Sequence, residues 1–384
     1  GEIDVTLPAG SAGDVVAIKD YAKTFDTNNC ILVQNGSDKI GGSTVNAILS
    51  TEGLAVTLIY IDSTQGWLVT DDGLQSVANT NPYMVATGGT ETTSGNCKIH
   101  TFTGPGTFCV SKAALAAADN LVSYMVVGGG GGAGTGSNIA NQSSGGGGGA
   151  GGFREVISPS SPYSGSPLNG YPNAPNRITV TVQGYPIDVG SGGAGGIQCG
   201  PFSAGFTGTI GAVSTFSSIT GAGGGAGGSG GSADAGQGAS GGGGGAQDCG
   251  ATGNTPPVSP AQGTNGSAGA SDAGGAGGGA TVASSNATNE NGADGGAGAT
   301  TSINATPTAY AGGGGGAGET TKGCGGAGGG GAGFTNGSNG SGSGVAGTAN
   351  TGGGGGGAHS NSNPTPTSGG NGGSGVIIIR YRYQ

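Results

Sequence analysis

The two histidines, His100 and His359, are the residues from which hydrolytic chemistry would most readily be built. A zinc protease places two histidines in an HExxH helix, and a serine hydrolase pairs a histidine with a serine on a sharp strand-to-helix turn. Neither histidine lies in an HExxH sequence, and no such turn accompanies them. The sequence therefore predicts no catalytic residue, and His100 is interpreted as a structural residue of a β-hairpin.

Cysteines and carboxylates do not have the spacings of metal sites. No two cysteines form a CxxC pair, so zinc is not expected. The carboxylates among the glycines are isolated and lack the repeated GGxGxD of a calcium-binding β-roll. GxGxxG matches follow from composition alone, and without a Gly-Lys pair there is no P-loop. We expect no metal and no cofactor, while disulfides and free thiols both remain open for Cys30, Cys97, Cys109, Cys199, Cys249 and Cys324.

Charge and hydropathy exclude two classes of partner. The formal net charge is -10, and only 8% of residues are charged. An acidic chain poor in Lys and Arg does not hold a phosphate backbone, so nucleic acid is not expected as a partner. No window approaches the ~18 apolar residues that span a bilayer, so membrane insertion is not expected either.

Aromatic and amide side chains are the remaining candidates for recognition, because they suit glycan surfaces. Segments rich in Asn, Pro, Thr and Ser separate the glycine tracts, and we expect these segments to be loops at the ends of the glycine-rich region. Each candidate also has a structural interpretation as a turn-forming or packing residue. The candidates are Tyr163, Tyr171, Asn173, Tyr310, His359 and Asn361.

Residues 1–75 have the pattern of a small β module. Short apolar strands alternate with Gly, Asn and Asp turns, and Trp67 is expected to fill the core. A core this small is marginal alone, so the module is expected to self-associate. The residues assigned to assembly are Ile3, Val5, Leu7 and Trp67.

Two apolar strands bracket the glycine-rich region. Residues 76–95 are predicted to be a linker, and residues 96–127 a β-hairpin followed by a strand at 123–127. Residues 376–384 give the strongest strand pattern in the chain. Because either strand would aggregate if left unpaired, we predict that they pair in one sheet and bring the two ends of the glycine-rich region together.

The region between them, residues 128–375, contains most of the chain's 99 glycines, without an overall Gly-X-Y period. Its tracts are interrupted almost only by Ala and Ser, which a flexible linker would not require. Packed polyglycine II helices would require it, since neighbouring helices satisfy one another's backbone groups and leave no room for larger side chains. The predicted fold class is therefore all-β plus polyglycine II: a β module followed by a strand-bracketed lattice of polyglycine helices.

Several stretches resemble glycine-rich structural proteins of bacteriophages. Residues 13–18 and the Gly66–Trp67 pair are similar to a small β module of phage tail fibres. Residues 100–108, 124–129 and 372–381 are similar to the segments that frame the glycine-rich domain in that family. Some of these proteins are adhesins that fold as polyglycine II lattices, with tip loops that contact the host receptor. The resemblance implies an appendage on the virion surface or another extracellular location, and no catalytic residues.

Three functions are considered. The first is a non-enzymatic tail-fibre or adhesin subunit, a homotrimer that binds host surface glycans or proteins through loops between the glycine tracts. The second is a self-assembling extracellular filament, in which residues 2–7 add a strand to a neighbouring subunit. The third is a depolymerase acting on surface polysaccharide.

Overall fold

The computed structural model describes residues 1–71, 82–137, 142–198, 205–231, 234–336, 340–360 and 366–384. The chain divides into two units, Gly1–Asn81 and Pro82–Gln384. Almost all regular structure in the described residues is β. The helices within those ranges are single 3-10 turns, Ala117–Asn120 and Ala174–Asn176.

The first unit contains two three-stranded sheets, with strand orders β1-β3-β4 and β2-β5-β6. Residues in β5 alternate between buried and half-buried, as expected for a strand with one face on a core. The strands are β1 Ile3–Thr6, β2 Val15–Lys19, β3 Cys30–Val33, β4 Ala47–Leu49, β5 Ala55–Tyr60 and β6 Trp67–Asp71.

The core of this unit contains two of the residues assigned to assembly. Trp67 is fully buried and meets the Tyr60 ring edge-on, with ring centroids 5.5 Å apart. Leu7 is also buried, and Val5 packs partly buried against the same cluster. Burial of Leu7 and Trp67 removes their apolar surface from water, so neither side chain is available on the unit's surface. Ile3 is 55% exposed, on a strand that pairs in parallel with β3 of the same chain.

The second unit contains two five-stranded sheets, with orders β12-β11-β20-β9-β8 and β16-β15-β13-β10-β7. Shorter pairs, β14 with β19 and β17 with β18, lie outside them. The strands are β7 Val85–Thr87, β8 Thr90–Ser94, β9 Cys97–Phe102, β10 Gly106–Lys112, β11 Ser123–Val127, β12 Phe153–Val156, β13 Gly184–Asp188, β14 Ile197–Gln198, β15 Ser214–Phe216, β16 Ile219–Gly221, β17 Ala299–Thr301, β18 Thr308–Tyr310, β19 Thr367–Ser368 and β20 Val376–Arg382.

The predicted pairing of the two bracketing strands is confirmed. β11 and β20 are antiparallel, with Ser123 opposite Arg380 and Val127 opposite Val376. β20 is also the central strand of its sheet, and all but its last residue are buried. The first and last residues of the glycine-rich region therefore leave one sheet side by side.

The predicted hairpin within residues 96–127 is wrong. β9 pairs with β8 and β20, whereas β10 pairs with β7 and β13, so the turn between them carries the chain from one sheet to the other. Phe102 and Phe108, on either side of this turn, enter one core between the two sheets. Burying both aromatic rings in that core outweighs the local preference for a hairpin.

Part of the predicted linker is also wrong. β7 and β8 lie within residues 82–95, and Met84 and Ala86 are buried in the core between the sheets. The polar composition of this segment reflects edge strands, since β7 and β8 each end a sheet. Residues 76–81 of the predicted linker lie outside the described residues.

Backbone hydrogen bonds join the glycine tracts with a period of three residues. The N–H groups of Gly128, Gly131 and Gly134 donate to carbonyls in the tract 146–152, at 2.8–3.0 Å. The next residue of each triplet donates to the tract 206–212, and the third to residues 370–373. All three partner tracts run antiparallel to residues 128–135.

The carbonyl groups of the same tract accept with the same period from three further tracts. The donors lie in residues 193–196, 224–230 and 355–358, and each of these tracts runs parallel to residues 128–135. The tract 128–135 is therefore hydrogen-bonded to six others. Every residue in it is buried, and it contains no side chain larger than that of Thr135.

Close approach of the tracts explains the near-absence of side chains. A β-carbon added to Gly131 would lie 2.0 Å from the carbonyl oxygen of Gly225, and one on Gly147 would lie 2.2 Å from that of Gly314. Real β-carbons do not approach an oxygen so closely. Glycine at these positions is therefore a steric requirement.

At the edge of the array the glycine requirement falls to one residue in three. Residues 205–213 read Gly-Phe-Thr-Gly-Thr-Ile-Gly-Ala-Val, and only the three glycines are buried. A β-carbon on Gly208 or Gly211 would lie 2.0–2.1 Å from a carbonyl of the tract 128–135. The Gly-X-Y period that the region lacks overall is thus present locally. Gly208 and Gly211 lie too close to the tract 128–135 for a side chain, whereas the residues between these glycines are exposed.

Candidate functional site

Five of the six recognition candidates lie in the described ranges, and these five are divided between the two ends of the glycine tracts. Tyr163, Tyr171, Asn173 and Tyr310 lie at the end formed by the two sheets, which we term the sandwich end. His359 lies at the opposite end of the tracts, where it forms backbone bridges with Ser144 and Gly342. The structure therefore does not bring the candidates together as one surface. Asn361 lies outside the described residues.

Tyr310 is a core residue. It is 5% exposed and packs with Ile303, Val376 and Ile378 beneath the β20 sheet. Its hydroxyl accepts a hydrogen bond from Asn304 at 3.3 Å, and burial raises its pKa. The prediction that Tyr310 is available on a loop is wrong, because its ring fills the space between the loops and the sheet.

His359 is fully buried, so its prediction as a loop contact is also wrong. Its Nδ1 lies 3.0 Å from the Ser144 hydroxyl, and its Nε2 lies 3.1 Å from a carboxylate oxygen of Glu319. Ser144 donates to the backbone carbonyl of Asp272 at 2.7 Å. A serine, a histidine and a carboxylate in this order are found in hydrolases, but here the imidazole has no exposed surface that a substrate could reach.

Burial determines the charge of both histidines. Desolvation lowers the pKa of His359, against the opposing influence of Glu319 and Asp272. Desolvation also lowers the pKa of His100, whose Nδ1 lies 2.6 Å from the carbonyl oxygen of Gly88. His100 stacks on Tyr381 and contacts Phe108 edge-on. Both imidazoles are therefore neutral parts of packed networks near neutral pH.

The exposed candidates form a patch on the segment after β12. Arg177 lies over the Tyr171 ring, 4.4 Å from its centroid, and donates from Nε to the Tyr171 carbonyl at 2.8 Å. Asn173 is exposed and donates to the carbonyl of Ser259 at 3.4 Å. The half-buried Tyr171 ring, next to a cation and an exposed amide, offers aromatic contact and hydrogen bonds to a surface glycan.

Tyr163 lies beside a different arginine. The Arg380 guanidinium is 5.4 Å from the centroid of the half-buried Tyr163 ring. Burial raises the pKa of Tyr163 well above its ordinary value, and the nearby Glu155 carboxylate acts in the same direction. Tyr163 therefore remains a neutral phenol that packs against a cation.

Three arginines pack against tyrosine rings although no sequence motif contains them: Arg177, Arg380 and Arg382. The feature of the sequence that points to these arginines is the rarity of positive charge, since the whole chain has only 10 Lys and Arg residues. Two of these ten alternate with tyrosine in the last strand, a spacing that puts them on one face of a sheet.

The described ranges contain neither a metal-ligand cluster nor a membrane-spanning helix. No group of three or more His, Cys, Asp or Glu side chains there is arranged to hold a metal ion. None of the helices found in those ranges has the length and apolar character needed to cross a membrane. Five cysteines are free thiols, with Cys30 and Cys97 buried, and Cys199 lies outside the described residues.

A family model described as Glycine-rich domain matches residues 101–382. The match begins inside β9 and ends in β20, so it contains the bracketing strands together with all the tracts between them. None of the curated proteins compared with the chain matches it.

Proposed function

Because the chain belongs to the glycine-rich domain family, we propose that it is a non-enzymatic structural and adhesion subunit of an extracellular or virion appendage, such as a phage tail fibre. The tract 128–135, hydrogen-bonded to six others, is the observation that carries the proposal. An array of this kind is a rigid scaffold whose side-chain variety is concentrated in the connecting segments. Such a scaffold suits a protein that presents loops to a surface.

The proposed conformation of the tracts is polyglycine II. Its three residues per turn would produce the three-residue period of donors and acceptors. Negative φ angles support it as well, since no glycine in residues 128–134 has a positive φ. Ordering so many glycines has a large entropic cost, which mutual hydrogen bonds in all directions would offset.

Adhesion is proposed to use the exposed loops, and Tyr171 with Asn173 is the patch best suited to it. Tyr171 is held in place by Arg177 while its ring remains partly exposed, so little side-chain entropy is lost when a glycan binds.

Binding of the labelled chain to intact host cells tests this role. We expect saturable binding that Tyr171→Ala weakens, while the matched variant Tyr21→Ala, at a tyrosine that is 94% exposed in the first unit, binds as the wild type does. Absence of saturable binding to host cells would contradict the adhesion role.

Electron microscopy of the purified chain separates the two proposed assemblies. Discrete trimers are expected of the fibre subunit, whereas long helical polymers formed by this chain alone would favour the filament. The edge tract supports self-association of either kind, because Phe206, Ile210 and Val213 are about half exposed or more along one side of it. Release of new reducing ends from host polysaccharide would instead indicate a depolymerase.

A further inference from the structure

A cavity of about 590 Å³ opens in the second unit where β20 ends. Its walls come from the turn between β8 and β9, the segment that follows β12, and the last residues of β20. No carboxylate is among the described residues that line it. The lining includes Ser94, Asn96, Pro159, Ser160, Arg380 and Arg382.

Arg380 places a buried positive charge in the wall of this cavity. It is 7% exposed, in the central strand between Ser123 and Ile99. Its Nη1 donates to the carbonyl of Ile303 at a long 3.4 Å, and its Nε has no hydrogen-bond partner in the described part of the chain. A buried guanidinium with unused donors is costly unless an anion or another acceptor satisfies it.

Two acidic side chains on strands of the same sheet, Glu155 and Glu91, have other partners. The oxygens of Glu155 accept hydrogen bonds from Ser166 and from Thr301 at 2.5–2.8 Å. Glu91 lies 3.2 Å from Lys98. Across the ranges that the structure describes, no Asp or Glu side chain lies within ion-pairing distance of either arginine of the cavity.

Arg382 provides a second cation at the mouth of the cavity, and its orientation is fixed. Its guanidinium lies 4.9 Å from the Tyr83 ring centroid, and Nη2 donates to the Tyr83 hydroxyl at 3.2 Å. Nε donates to the Gln384 carbonyl at 3.3 Å. Arginines bind carboxylates through two parallel hydrogen bonds. Two arginines in one cavity therefore favour a ligand that contains a carboxylate.

We propose that this cavity binds the carboxylate of an acidic saccharide, with Arg380 and Arg382 as the charged contacts. The proposal rests on the adhesion function above and gives it a ligand class. The volume suits a ligand of one or two sugar rings. Ser94, Asn96 and Ser160 provide polar groups for the sugar hydroxyls. Pro159 provides an apolar face for its ring.

Titration calorimetry on the full chain tests the proposal with digalacturonic acid and its methyl ester, which has nearly the same shape without the charge. We expect the acid to bind at least about tenfold more tightly than the ester, the factor typical of losing one charge-assisted hydrogen bond. Equal binding of the two, or no binding of the acid by the folded chain, would overturn the proposal. Sodium sulfate is the third ligand. Sulfate binding as tight as that of the acid would show a simple anion site and would also overturn the proposal.

Two variants test the cavity residues without replacing Arg380, because replacing this buried arginine would also destabilise the fold. Arg382→Gln removes one cation, and Ser160→Glu adds a carboxylate to the cavity wall that competes with the ligand. Each is expected to weaken binding of the acid about tenfold or more. Lys322→Gln, at an exposed cation outside both the cavity and the Tyr171 patch, is the control and should bind as the wild type does. A loss of binding in Lys322→Gln equal to that in Arg382→Gln would contradict the assignment.

The same preparations separate this inference from the proposed function. A chain that binds host cells but not digalacturonic acid overturns the ligand class alone. A chain that fails to bind cells contradicts the adhesion role itself, whatever its affinity for the disaccharide.

Discussion

At the scale of single residues, the space available for a β-carbon determines where glycine is required. Gly131 and Gly104 are chemically identical, but a β-carbon on Gly131 would lie 2.0 Å from a carbonyl oxygen, whereas one on Gly104 would meet nothing within 4 Å. Neither has a positive φ, so backbone strain does not distinguish them.

We therefore expect Gly131→Ala to lower the free energy of unfolding by about 3 kcal/mol, since the neighbouring backbone must move. Gly104→Ala should change it by less than about 0.5 kcal/mol. Denaturant unfolding of both variants provides the measurement. Similar values for the two would show that the tracts do not pack as described.

The two buried histidines predict how stability depends on pH. Burial lowers the pKa of His100 and of His359 below the value of 6.5 expected in the unfolded chain. The unfolded state then binds more protons than the native state just below pH 6.5, so stability is present above that pH and is lost as the pH falls. Each histidine contributes a slope of up to about 1.4 kcal/mol per pH unit.

Unfolding measured from pH 7 to pH 5 should accordingly show a decline in wild-type stability. In the variants His100→Gln and His359→Gln that decline should be shallower. The difference between wild type and variant isolates the histidine contribution from that of the carboxylates. A wild-type stability that is flat or that rises on acidification over this range would refute the assignment of neutral, buried imidazoles.

At the scale of elements, the edge tract 205–213 separates scaffold positions from surface positions within nine residues. Gly208→Ala places a methyl group 2.1 Å from the carbonyl oxygen of Gly132. Ile210→Ala removes a side chain that is 63% exposed. The first variant is expected to lose about 1–3 kcal/mol of stability and the second less than about 0.5. Thermal unfolding of the pair checks this, and a larger loss in Ile210→Ala would reverse the proposed orientation of the tract.

The positions of the two bracketing strands and their pairing could be predicted from sequence, but β7, β8 and the partners of the other strands could not. β11 and β20 are apolar enough that leaving either unpaired is costly, which favours their pairing; each also pairs with a second strand, β12 or β9. β9 and β10 follow a hairpin pattern locally, yet they enter different sheets because Phe102 and Phe108 share a core between the sheets. Such a choice depends on residues distant in sequence, which local patterns do not encode.

The candidate site was less predictable for a related reason. Aromatic residues between tracts were expected to be exposed, but Tyr310 fills the core under β20. His359 is likewise buried, in a network with Ser144 and Glu319. A glycine-rich region has few large side chains, so those that it has are used to fill gaps where the tracts meet the sheet and the loops. Arg380 was not predicted, because its burial without an Asp or Glu partner among the described residues depends on the fold.

At the scale of the whole molecule, the glycine tracts form a buried, hydrogen-bonded core of the second unit. The amides of residues 128–135 donate to tracts that are far away in the sequence, so their protection depends on the array as a whole. A linker of the same composition would leave these amides in water.

Backbone hydrogen exchange across residues 128–135 tests that claim most directly, with the acid-unfolded chain as the reference. We predict exchange slower than the unfolded rate by roughly a thousandfold or more, and similar for all three residues of each triplet, since each donates to a different tract. Exchange at the unfolded rate would contradict the account.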